Sequence, residues 1–186
     1  MRFLVFLMMV PLAVCAAEVE GVKIDDKTRV ANADVTLNGA GLRKRMFFKV
    51  YAMGLYVAQK NANASALIDQ PGPKRVSIHM LRDVSADAFN EALAEGIRAN
   101  HSEAEVKALE PRLKELGSIM GAVGEAKKGM TIYLDWTGAE TQVVVNGKPA
   151  GKPIAGADFY KALLKVWLGD KPVQADLKAA LLGEKQ

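Results

Sequence analysis

Arg43, Lys44, Arg45 and Lys49 stand beside Tyr51 in a stretch that is otherwise apolar and aromatic. On a pleated strand Arg45, Lys49 and Tyr51 project from one face, with Arg43 just before it. A guanidinium meets a carboxylate or phenolate through two parallel hydrogen bonds, so this cluster suits an oxygen anion. A solvated strand edge, where lysine and arginine deter aggregation, is the structural alternative. Most other chemistry is missing. There is no Gly-x-Ser-x-Gly, and the one cysteine, Cys15, lies near the N-terminus. His79 and His101 are far apart and lack a metal-ligand spacing, so no metal site is expected. Gly39-Ala-Gly41-Leu-Arg-Lys44 begins like a dinucleotide fingerprint but ends in lysine and precedes a strand. Gly147–Lys152 ends in Gly-Lys, yet Pro153 stands where a phosphate loop needs Ser or Thr. No cofactor is therefore expected. His79 reads as a polar residue on an outer sheet face, and Trp136, Trp167 and Phe89 read as packing residues.

Composition narrows the class further. The chain has 186 residues, enough for one domain with a substantial core. Lys and Arg number 25 against 21 Asp and Glu, and the excess of +4 is spread along the chain, so nucleic-acid binding is not expected. Met1–Ala17 combines a positive start at Arg2, an apolar run and small residues before the acidic Glu18. This is the pattern of a cleaved signal peptide, and it predicts export to the periplasm. The run is shorter than the roughly 20 residues that span a bilayer, and Pro11 interrupts it. Leu12-Ala-Val-Cys15 offers lipidation as an alternative, with a bulky Val14 where a small residue is wanted. No later segment approaches spanning length. Residues 18–186 read as one domain, cysteine-free and stable through packing alone.

The elements that must position the cluster follow from periodicity. Gly21–Ile24 and Val30–Asn38 read as short strands, and Asn38-Gly-Ala-Gly41 as a flexible turn. Arg45–Gln59 reads as one long strand, its face of Met46, Phe48, Val50, Ala52 and Tyr56 expected in the core. Lys74–Arg82 is a further strand. Ser85 caps a helix whose Phe89, Ala92, Leu93, Gly96 and Ile97 form an apolar stripe. Ser102 caps another, in a region that Pro111 is expected to split. Gly129–Trp136 and Thr141–Val145 form a hairpin. Asn146-Gly147 signals a tight turn into a last strand near Lys152–Ile154. Helices over Ala64–Asp69, Asp158–Leu168 and Gln174–Leu182 complete an α+β chain with a largely antiparallel sheet.

Leu37-Asn-Gly-Ala-Gly-Leu-Arg43, followed by Phe48-Lys-Val-Tyr-Ala-Met-Gly-Leu-Tyr-Val57, resembles the chalcone isomerase family. Asp158-Phe-Tyr-Lys-Ala-Leu-Leu-Lys-Val-Trp-Leu-Gly-Asp-Lys-Pro-Val173 is similar to the C-terminal pattern of its bacterial exported branch. The resemblance implies an open-faced β-sandwich: a long curved antiparallel sheet, helices on one face, and a ligand cleft between. In the plant enzymes an arginine holds the substrate phenolate, a threonine and a tyrosine organise water at the ketone, and an asparagine contacts the far end. Carried over, these roles fall on Arg43, Tyr51, Phe89 and Gly96. Phe89 has no proton or hydrogen bond to give a developing enolate. Other members of the family bind fatty acids without catalysis. The expectation is thus a non-catalytic periplasmic protein whose partner is a small amphipathic anion such as a fatty acid. Arg43, Lys49, Tyr51 and Phe89 are the candidate binding residues. An isomerase or intramolecular lyase with altered residues, and an interaction module without a small ligand, are the rival readings.

Overall fold

A computed structural model describes residues 16–184. The expected leader, apart from its last two positions, lies outside the described residues, and so does Cys15. Strands β1 (Ala17–Val19) and β2 (Val22–Ile24) form a small hairpin of their own. Seven further strands form one antiparallel sheet in chain order. They are β3 (Lys27–Val30), β4 (Ala33–Arg45), β5 (Phe48–Val57), β6 (Lys74–Met80), β7 (Thr131–Trp136), β8 (Glu140–Val145) and β9 (Lys148–Ala155). The sheet curls into a half-barrel. The helices are α1 (Ala64–Asp69), α2 (Ala86–Ala99), α3 (Glu103–Val123), α4 (Ala157–Leu168) and α5 (Ala175–Leu181). The α+β architecture with an antiparallel sheet is as the sequence predicts.

The alternating strands bury two different faces. Met53, Leu55, Val76, Ile78, Ile132 and Leu134 meet Phe89, Ile97, Leu116, Phe159, Leu163 and Trp167 from the helices, and this is the main core. Ala52 and Tyr56 point the other way, into a smaller cluster with Ile24, Val35 and Leu37 under the β1–β2 hairpin. The local signals act as expected at most boundaries. Ser85 accepts from the Ala88 amide at the start of α2, and Ser102 and Glu105 cap α3 reciprocally. Asn146 and Gly147 both adopt positive φ in the β8–β9 turn. Strand β9 holds Pro149 and Pro153 because it is a sheet edge, where a missing amide donor is tolerated.

Four expectations are corrected. Val30–Asn38 is not one strand: Val30 ends β3, Ala31 and Asn32 make the turn, and Ala33 opens β4. Pro111 does not split α3, which runs unbroken through it. Pro111 and Lys107 both lie on the exposed side, so the Lys107 carbonyl that loses its helical donor can turn to water. Asn38–Gly41 is not a turn but the middle of β4. Its glycines mark a close approach: a Cβ on Gly39 would fall 2.1 Å from the Ala180 carbonyl oxygen, and one on Gly41 would fall 2.7 Å from the Ala180 Cβ. Helix α5 lies directly on β4 there. Arg45–Gln59 is not one strand. Arg45 ends β4, Met46 and Phe47 make the turn, and β5 starts at Phe48. Met46 and Phe48, expected in the core, are exposed at that tip.

Candidate functional site

Two bulges set the directions of the side chains around β4 and β5. Arg43 pairs with Tyr51 and Lys44 with Lys49, so β5 carries one extra residue, Val50, at this point. The bulge reverses the alternation of everything before it. Tyr51 keeps the helix-facing side, Phe48 joins it, and Lys49 turns to the opposite face. The carbonyl of Val50 is satisfied by the Leu81 amide at 2.9 Å. A second bulge at Asn38 lets its side chain donate to the Leu181 carbonyl at 2.7 Å and accept from the Asn61 amide at 2.8 Å. The end of α5 is thereby tied to the strand that carries Arg43.

The start of α5 is tied there too. Gln174, just before the helix, donates through Nε2 to the Leu42 carbonyl at 3.0 Å and accepts through Oε1 from the Lys44 amide at 2.8 Å. The same Oε1 accepts from the Arg43 guanidinium at 3.4 Å, and Arg43 also donates to the Lys44 carbonyl. Both of those acceptors are neutral. Beside Arg43, the Tyr51 hydroxyl accepts from the Trp167 indole N–H at 2.9 Å. That contact leaves the phenolic hydrogen free in direction. Burial holds the Tyr51 phenol above its ordinary pKa, while the Trp167 donor and the nearby Arg43 charge pull the other way. Tyr51 is therefore a neutral donor at physiological pH.

Arg43 and Tyr51 line one wall of a cavity of about 840 Å³ between the sheet and α2. This lies within the range of roughly 300–1,000 Å³ usual for small-molecule sites. Its depth is apolar, formed by Met80, Phe89, Leu93, Val166 and Trp167. Its rim carries the exposed Arg45, Arg82 and Lys171 against Asp83 and Glu95. Gly96 allows α2 to approach α4 closely, since a Cβ there would fall 2.7 Å from Val166. The arrangement is amphipathic: cationic and phenolic donors at one wall, hydrocarbon behind them. Phe89 contributes a buried ring and no polar atom.

Three of the four residues singled out from the sequence, Arg43, Tyr51 and Phe89, come together at this cavity. Lys49 is not among its walls; it pairs with Glu20 of the β1–β2 turn. The Val50 bulge is the reason. Gln174 and the Trp167 donor were not singled out as site residues. Nothing in local spacing connects Gln174 to a strand more than a hundred positions earlier. Arg82 was legible only as the end of an expected strand. Among the described residues no cluster of His, Cys, Asp or Glu suits a metal. No described helix is long and apolar enough to cross a membrane.

Comparison with known proteins agrees with this fold. The crystal structure of a fatty-acid binding protein from Arabidopsis thaliana superposes with a TM-score of 0.69 at 16% sequence identity, covering 87% of this chain and 92% of that one. At that identity the likeness is one of fold. No curated protein matches the sequence. The chalcone isomerase-like family profile matches residues 16–183, nearly the whole of the described chain, and the protein belongs to that family.

Proposed function

We propose that this protein is a non-catalytic carrier or sensor of a small amphipathic anion, a fatty acid or a close chemical relative. In this reading the carboxylate sits between the Arg43 guanidinium and the Tyr51 hydroxyl, and the acyl chain lies along Phe89, Leu93 and Met80. The observation that carries it is the cavity itself: paired cationic and phenolic donors on one wall of a space otherwise lined with hydrocarbon. The plant structure of the same fold bears the description fatty-acid binding protein, which favours the same ligand class. Phe89 argues against ring closure, because no hydroxyl stands there to serve an enolate. The signal-like Met1–Ala17 is the support for a periplasmic setting in this reading.

The direct test is titration of the purified protein with long-chain fatty acids, alongside mass spectrometry of lipid that co-purifies from the native host. Saturable binding of the acid, and weaker binding of the alcohol of equal chain length, is expected. The reading is overturned if acid and alcohol bind alike, or if neither binds.

A further inference from the structure

Hairpin tips of soluble proteins are ordinarily polar. Among the described residues the large apolar side chains that stand exposed are Met46, Phe47 and Phe48, at 81%, 95% and 58% exposure, and they are consecutive. They form the tip of the β4–β5 hairpin. Met46 holds a φ of +55 there, a conformation that asparagine or glycine adopts more readily. The β8–β9 turn of the same sheet uses Asn146-Gly147, so the fold accepts the favoured pair elsewhere. Glu20 and Ala31 hold a similar positive φ in two other hairpin turns, so the signal is the side chains: three consecutive exposed apolar residues at one tip point to a contact outside the molecule.

The surroundings say what kind of contact. Lys44 and Arg45 precede the tip and Lys49 follows it. The Arg82 guanidinium lies 4.7 Å over the Phe48 ring. Lys127 and Lys128 are exposed at the same end, drawn there by the Lys128 amide donating to Asp83 and the Gly129 amide donating to the Met80 carbonyl. The acids at this end are Asp83, Glu125, Glu20, whose charge is taken up by Lys49, and Glu95 on the cavity rim, and the cations outnumber them. An aromatic tip ringed by cations matches the bilayer interface, where rings settle at headgroup depth and lysine and arginine meet lipid phosphates. A second copy of this chain fits less well, because a two-fold contact through the tip would bring the same cations face to face.

We infer that the β4–β5 tip seats the protein on an anionic phospholipid surface, with Phe47 as the inserted side chain. This goes beyond ligand binding and stands without it. Met46, Phe48 and Arg45 also line the rim of the cavity, so docking would present the mouth to the bilayer. Phe47 does not line the cavity, which lets the two properties be tested apart.

The experiment is co-sedimentation of the protein, as recovered after export, with vesicles of phosphatidylcholine alone and with one part in four phosphatidylglycerol. Wild type should partition onto the anionic vesicles, weakly onto the neutral ones, and less as salt rises. Phe47→Ser should reduce partitioning about tenfold, the loss of one buried aromatic ring. Its fatty-acid binding in solution should stay at the wild-type level. The double variant Lys44→Glu/Lys128→Glu should lose the preference for anionic vesicles by a charge route that leaves the tip intact. Any contribution of residual leader is common to all variants. The inference is overturned if Phe47→Ser partitions like wild type, or if neutral and anionic vesicles bind equally. It is overturned too if sedimentation velocity finds a dimer that Phe47→Ser dissolves while wild type ignores vesicles. Failure of wild type to bind fatty acid would sink the ligand reading and leave the vesicle result standing.

Discussion

Arg43 and Tyr51 differ in what they can offer a carboxylate. The guanidinium brings a full charge and a planar fork, held by Gln174 on one side. The phenol brings one neutral hydrogen bond, oriented by Trp167. A charge-assisted contact in a partly desolvated site contributes about 1.5–3 kcal/mol, so Arg43→Ala should weaken fatty-acid binding about ten- to a hundredfold. Arg43→Lys should recover only part, since an ammonium lacks the fork. Lys49→Ala, which removes a cation from the opposite face, should leave the titration unchanged. Equal losses in Arg43→Ala and Lys49→Ala would mean diffuse charge attraction and no site. A second expectation concerns chemistry. With Phe89 in the wall and Gly96 beside it, a network at a bound ketone lacks two side chains, and each such loss costs on the order of a hundredfold in rate. Chalcone should therefore close to flavanone at barely more than its spontaneous rate. A chiral-column assay showing strong enantiomeric excess would refute this. The cationic cluster was legible in the sequence because its residue types are conspicuous. Its division into Arg43 inside and Lys49 outside was not, because one bulged residue, Val50, inverts a period of two without altering composition.

Legibility at the level of elements follows the same line between local and distant causes. Helices α2 and α3 announce themselves through Ser85, Ser102 and apolar stripes, all signals within a few residues of the structure they specify. The glycines of β4 do not. Read locally they suggest a flexible turn, yet their cause is helix α5, about 140 residues later in the chain, pressing on the strand. In the proposed reading that contact bears on the ligand, because α5 and Gln174 hold Arg43 in place. Gly39→Ala should therefore be costly twice over. Its Cβ would collide with the Ala180 and Leu181 backbone, which has no rotamer to yield, and α5 would have to lift. Overpacking of this kind typically costs about 1–3 kcal/mol. Denaturant unfolding of Gly39→Ala should show a lower midpoint, and fatty-acid affinity should fall although no cavity residue has changed. Gly121→Ala is the matched control, since a Cβ there meets nothing within 4 Å and adds helix propensity to α3. A midpoint for Gly39→Ala equal to that of wild type would show that α5 is not seated as described.

With a single cysteine the whole molecule has to hold without an internal disulfide, and loss of Met1–Ala17 should be visible as the corresponding mass difference in the exported protein. Its stability then rests on packing, and part of that packing is phenolic. Tyr56 donates to the Asp25 carbonyl at 2.8 Å and Tyr160 to the Leu134 carbonyl at 3.0 Å, while Tyr51 sits against Trp167. Burial raises the pKa of all three phenols. A phenolate could make neither of those donations, and its charge would be stranded in hydrocarbon. In the unfolded chain the same groups ionise near 10. Because the folded values lie above the unfolded one, the stabilisation is complete below pH of about 10 and is withdrawn as pH rises toward the folded values. Lys74 works in the other direction. Its buried ammonium is pushed down to about 8, so the folded state carries a penalty at neutral pH that lifts as pH climbs from about 8 toward the unfolded value near 10.5. The two effects follow one another, Lys74 acting between about 8 and 10.5 and the phenols above about 10. Stability should rise through mild alkali, by up to about 1.4 kcal/mol per pH unit, and then fall by up to the same amount per unit for each phenol. Phenolate absorbance from these three tyrosines should appear together with loss of far-ultraviolet circular dichroism, as one cooperative event. Tyr160→Phe should make the fall shallower by one proton. If Tyr56 and Tyr160 ionise near their ordinary value while the sheet remains intact, these two phenols are solvent-reachable, and the packing described around them is wrong.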